Sequence, residues 1–194
     1  MGIKTSVLGA AISGLLISAP SFAAFDFSAD SSNITFSDST CGAIAGAVDG
    51  CFQFVPTNIA NIEIDSGTNL GSSGFLGGAF GIGAIETFPI VGPPAGTLQS
   101  ASVTSTDGSL TISDGINLLK ADMDLIRIST AYSFGGINVL SRANLTNITY
   151  AGSDADLLEL YNAGAGAVTI SFQNAGGLTL SELIANEAQT SFSG

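Results

Sequence analysis

From Phe25 onward the chain is written in short runs in which apolar and polar residues alternate, separated by Gly, Asp, Asn and Ser. Alternation with period two sends successive side chains to opposite faces of a strand, so the pattern predicts an all-β domain. The runs are Asn33 to Ser37, Cys51 to Val55, Asn58 to Asp65, Gln99 to Ser105, Ser109 to Ser113, Met123 to Thr130, Gly136 to Tyr150, Ala167 to Gln173 and Thr190 to Ser193. Asp107-Gly108 lies between two of them and predicts a two-residue type I′ hairpin, and Asp114-Gly115 marks the next turn. Gly136 to Tyr150 is too long for one flat strand. Ile137, Val139 and Leu145 share one parity and Ile148 and Tyr150 the other, so a bulge or turn near Asn144 to Asn147 should switch the buried face.

Alternation is lost between Gly71 and Gly96, where glycine and apolar residues crowd around Pro89, Pro93 and Pro94. This stretch reads as a long ordered loop or edge segment. Helix signals are few. Ser153-Asp154-Ala155-Asp156 offers an N-cap and an acidic first turn ahead of Leu157-Leu158-Glu159-Leu160, and Leu178 to Glu187 suits a second short helix. With no internal repeat and no linker, the expected architecture is a single-domain β-sandwich with a Greek-key or jelly-roll element, decorated by one or two short helices.

The first 23 residues depart from this pattern. Lys4 precedes an apolar run, Val7 to Ile17, and Ser21-Phe22-Ala23 places small residues at the two positions a signal peptidase reads. The expected cut follows Ala23, because cutting after Ala24 would put Phe22 where a small residue is needed. The run is shorter than the roughly 20 residues that span a bilayer, so no transmembrane segment is expected in the mature chain. Residues Ala24 to Gly194 suit one domain, large enough to bury about 70% of the surface of the unfolded chain. The whole chain has 4 basic and 16 acidic residues, and loss of Lys4 leaves Lys120, Arg127 and Arg142. Such a balance excludes nucleic acid and anionic lipid as partners, since both draw affinity from clustered Lys and Arg.

In an exported chain Cys41 and Cys51, ten apart, are expected to form one local disulfide. They would enclose a Gly- and Ala-rich segment, and closing so short a loop stabilises by roughly 2 to 3 kcal/mol. The chain contains no His, which removes the Ser-His-Asp triad and the usual zinc sets. Paired carboxylates remain a route to glycoside cleavage, with Asp122 and Asp124 on one strand face and Asp154, Asp156 and Glu159 on one short segment. Each set reads more simply as a solvated face or a helix start. The absence of Trp, with Tyr132, Tyr150 and Tyr161 the only tyrosines, weakens a sugar-stacking site. Phe25, Phe27, Phe36, Phe52, Phe54 and Phe172 fall in or beside alternating runs and read as core. Calcium is the more natural use of the acids. Asp65 with Asn69, and Asp154 with Asp156, are candidates for half a site each, although neither segment matches a twelve-residue calcium loop ending in Glu.

Three stretches carry a resemblance: Gly115-Ile116-Asn117-Leu118-Leu119-Lys120-Ala121-Asp122-Met123-Asp124, then Ala143 to Leu157 (with Asn144-Leu145-Thr146-Asn147-Ile148-Thr149-Tyr150-Ala151-Gly152-Ser153-Asp154), then Ala167-Val168-Thr169-Ile170-Ser171-Phe172. Together they resemble the exported proteins of Gram-negative bacteria that carry a PEP-CTERM sorting tail. The resemblance covers the C-terminal half. It implies a β-rich body followed by a Pro-Glu-Pro motif, an apolar helix and a basic end, handled by an exosortase in organisms that make extracellular polysaccharide. It implies no catalytic residues. The chain reaches Ser191-Phe192-Ser193-Gly194 near where that tail would start, so the resemblance implies either a longer natural chain or outright release. A bacterial source also implies that the sequons at Asn33, Asn144 and Asn147 are turn and strand residues instead of sugar acceptors.

The resulting expectation is a non-enzymatic surface or extracellular-matrix protein of a biofilm type, secreted or held at the cell surface, with polysaccharide or other matrix components as partners. It needs no cofactor beyond a possible calcium ion. A carbohydrate-binding or calcium-dependent adhesive module is the alternative, and a paired-carboxylate hydrolase follows it. A donor-strand pilin fits less well, because Cys41 and Cys51 are too close to bridge distant strands.

Overall fold

Eleven strands and two short helices account for most of the chain in a computed structural model, which describes residues 26–29, 33–38, 44–55, 60–66, 71–91, 95–133, 136–174 and 178–193. The strands are β1 (Phe27–Ala29), β2 (Asn33–Ser37), β3 (Gly50–Val55), β4 (Ile62–Ile64), β5 (Ser73–Ile82), β6 (Glu86–Ile90), β7 (Gly96–Ser113), β8 (Leu118–Ser133), β9 (Gly136–Thr149), β10 (Gly166–Asn174) and β11 (Gln189–Ser193). The helices are α1 (Ala155–Ala163), between β9 and β10, and α2 (Leu180–Ala185), between β10 and β11. The all-β class and the single core are as the alternation predicts. The signal region with Ala23, and Phe25, Cys41, Asn69, Pro93 and Pro94, lie outside the described residues.

The arrangement of the strands differs from two facing sheets. All eleven belong to one antiparallel sheet in the order β1-β4-β5-β3-β2-β11-β10-β9-β8-β7-β6, with β5 also paired to β7 and β1 to β11. The β5–β7 ladder, from Gly74↔Ile112 to Ile82↔Val103, returns the sheet on itself. Starting at β5, the pairings run through β3, β2, β11, β10, β9, β8 and β7 and back to β5, a closed ring of eight strands. Eight strands leave an interior that side chains can fill. Here Phe36, Phe52, Phe54 and Phe80 fill much of it, with Phe52 stacked on Phe80 at 5.0 Å and Phe54 edge-on to Phe80 at 5.5 Å. Each buried side chain of this size stabilises by roughly 1.5–3 kcal/mol.

The Asp107-Gly108 pair does not form a hairpin. It sits inside β7, which is one strand of 18 residues, and the strand register shifts there against both neighbours. Asp107 has φ 59°, and a Cβ at Gly108 would stand 2.1 Å from the Met123 carbonyl oxygen, so the backbone bulges at a position where β8 approaches too closely for a side chain. The expected switch in β9 occurs: Asn147 has φ 50°, Lys120 faces Thr149 while Asp122 faces Thr146, and burial passes from Ala143 and Leu145 to Ile148 and Tyr150. β8 makes the same switch at Ile126, from Met123 and Leu125 to Ile128 and Thr130.

The stretch read as a long loop or edge segment between Gly71 and Gly96 is largely strand, part of it an edge strand. β5 is a central member of the ring, and β6 is an edge strand paired only to β7. Gly74, Gly77, Gly78 and Gly81 supply no side chains to either face of β5, which is why alternation vanishes there. The cap read at the start of α1 is as expected, and α2 lies within the expected span Leu178 to Glu187. The Asp154 carboxylate accepts the backbone N–H groups of Asp156 and Leu157, and Thr179 with Glu182 completes a capping box on α2. Leu180, Leu183 and Ile184 of α2 join the core.

Candidate functional site

A filled interior leaves binding chemistry to the outer wall, and that wall is polar. Along β8 the outward positions include Lys120, Asp122 and Asp124, charges where a lipid-facing barrel has its apolar band. Among the described residues no helix is long and apolar enough to cross a membrane.

Clefts lined by described residues open on the wall. One, of about 490 Å³, is lined by Ile126, Arg127, Ser129, Arg142 and Thr169. Its geometry follows from the bulge in β8. Turning Ile126 and Arg127 both outward brings Arg127 directly opposite Arg142 on β9, and Thr169 on β10 faces Arg142 from the other side. Three consecutive strands thus present one row, Arg127, Arg142 and Thr169, all exposed. Arg127 also meets Glu86 of β6 at 3.6 Å, but both side chains are about 60% exposed, so the pair contributes little. Arg142 has no carboxylate within 4 Å among the described residues. Another cleft, of about 420 Å³, lies beside α2 and is lined by Asp38, Asp49, Ile85, Thr87, Ser181, Ile184 and Ala185. Asp49 already accepts the Ile85 N–H at 2.6 Å.

The acids singled out from the sequence are dispersed and engaged locally. Asn147 donates its side-chain amide to Asp122 at 2.7 Å, and Ser105 donates its hydroxyl to Asp124 at 2.9 Å. Asp154 caps α1, with Asp156 in the first turn. Asp65 follows β4 and accepts from the Ser28 hydroxyl at 3.2 Å, while Asn69 is outside the described residues. Among the described residues no three acids, cysteines or histidines gather closely enough to hold a metal ion. Cys51 is buried at the start of β3.

The most heavily bonded acid is one the sequence marks only as a turn. Asp114, between β7 and β8, accepts the backbone N–H groups of Ile116 and Asn117 on one oxygen, and the Tyr150 hydroxyl at 2.5 Å and the Asn117 amide on the other. These bonds, the phenol's foremost, bring its pKa down to about 2. Tyr150 is pushed up, by burial first and by its bond to Asp114 second, and its oxygen also accepts the Asp154 N–H at 3.0 Å. Asp114 and Tyr150 fasten the β7–β8 turn to the start of α1. Tyr161 stands exposed on α1, so these two tyrosines do not build a stacking platform. The arginine row was missed because Arg127 and Arg142 are 15 positions apart, and only the β8–β9 register brings them together. Comparison with protein-family models, with curated proteins and with solved structures finds no match.

Proposed function

We propose that this chain is an exported, non-enzymatic surface or extracellular-matrix protein of a Gram-negative bacterium, released from its signal after Ala23 and stapled by a Cys41–Cys51 disulfide. The observation that carries this reading is the combination of a packed interior with an acidic, shallowly cleft outer wall. With phenylalanine packed in the described interior, contact falls to the exposed face, which suits a large, hydrated partner. Biofilm matrix and its polysaccharide are the partners that fit the export signal and the resemblance to sorted proteins. The test is retention of the purified mature chain, Ala24 to Gly194, on matrix isolated from the producing organism. Retention that persists through washing is expected, and free elution overturns the reading.

A carbohydrate-binding module is the second reading, favoured by the open cleft over β8, β9 and β10. It differs from the first in requiring a defined saccharide epitope. A calcium-dependent adhesive would instead melt higher with calcium and lower with chelator.

A further inference from the structure

We infer that the Arg127–Arg142 cleft binds the carboxylate of an acidic saccharide, a uronate unit, an inference that rests on the matrix-protein reading and names the chemistry of its partner. After loss of the signal only three cationic side chains remain in the chain, and two of them face each other across one ladder. Like charges directly opposite in a sheet are destabilising. Glu86 relieves one of the two, at 3.6 Å and in open solvent, and Arg142 has no such relief among the described residues. An anion seated between the guanidinium groups offsets the repulsion of both at once.

The shape of the cleft narrows the anion. Guanidinium groups present planar forks that match a carboxylate in a two-bond arrangement. Thr169, facing Arg142 from β10, adds an exposed hydroxyl suited to a sugar hydroxyl. Ile126, 52% exposed, adds an apolar surface beside the arginines, suited to the C–H face of a pyranose ring. A planar anion, hydroxyls and a C–H face occur together in a uronic acid, whereas an acidic peptide has no use for the whole set. Asp122 and Asp124 lie along the same strand and confine the positive field to this row. At physiological salt, charges beyond about 8 Å are screened, so the chain's overall acidity does not cancel the local attraction.

The experiment is calorimetric titration of the whole mature chain with an oligogalacturonate, with the same oligomer after its carboxylates are reduced to alcohols, and with oligoglutamate of equal charge. The uronate is expected to bind, with the reduced oligomer and oligoglutamate at least tenfold weaker. Arg127→Gln and Arg142→Gln should each weaken uronate binding at least tenfold, and Lys120→Gln should leave it unchanged. Arg142→Gln should melt no lower than the parent, because it removes a like-charge pair, so lost binding would not reflect lost folding. Equal binding by the double variant R127Q/R142Q, or by oligoglutamate, overturns the inference. Matrix retention separates the two claims: a double variant retained as well as the parent sinks the cleft while leaving the matrix role standing. A parent that binds uronate through these arginines yet elutes from matrix sinks the matrix role alone.

Discussion

At the scale of the residue, Asp114 and Asn61 show how single polar side chains hold this sheet in shape. Asp114 is ionised within a set of four donors, and its folded pKa of about 2 lies below the roughly 3.9 of an unfolded Asp. A depressed carboxyl stabilises the fold fully above about pH 4 and loses that contribution as pH falls toward 2. Thermal melts between pH 5 and pH 2 should therefore show the parent falling through this window and Asp114→Asn starting lower with a flatter profile. Parallel curves would mean that Asp114 does not set the acid limb. Asn61 is fully buried, and its side-chain amide donates to the Leu76 carbonyl and accepts the Leu76 N–H, both at 2.7 Å. It stands in for a strand neighbour along β5, between the stretch paired to β4 and the stretch paired to β3. Asn61→Ala leaves both Leu76 groups unmatched in the core and should cost about 1–3 kcal/mol in chemical denaturation.

At the scale of the element, the long strands β7, β8 and β9 each change their buried face once. A strand that keeps one parity for 14 to 18 residues would present its far half with the wrong side chains inward, and a single bulge corrects this. The switch in β9 was legible because Leu145 and Ile148 break parity in the sequence itself. In sequence the bulge in β7 looks like a hairpin, because Asp-Gly has the same left-handed preference in a turn and in a bulge, and only the partner strands distinguish them. Gly108→Ala decides between the two physically. It should cost about 1–3 kcal/mol or more, since its Cβ would meet the Met123 carbonyl, while Asp107→Gly should be tolerated at its φ of 59°. A hairpin tip in solvent would accept alanine with a far smaller loss. β6, the edge strand, is guarded by Glu86 and Pro89, devices that discourage pairing with another chain.

At the scale of the molecule, closure of the ring is what gives the chain its one core. The β5–β7 ladder accomplishes this, and it is built on the glycine-rich strand whose pattern is least visible in the sequence. The proposed Cys41–Cys51 bond lies near the start of β3, a member of that ring. Intact mass of the mature chain should equal Ala24 to Gly194 less two hydrogens, and reduction should lower stability by roughly 2–3 kcal/mol without abolishing the fold. A mass with two free thiols would remove the staple.

The sequence by itself determined the strand-rich class, the cap of α1, the face switch in β9 and the acidic, histidine-free chemistry. All of these depend on residues within a few positions of one another, where period, capping and parity act directly. Only the tertiary structure decided that eight strands close into one ring, that Gly71 to Gly96 supplies one of them and an edge strand beside it, that Asp107-Gly108 bulges, and that Arg127 meets Arg142. Those outcomes depend on which strands pair and in what register. Pairing over long separations is chosen by the burial of the whole core, not by any local run of residues.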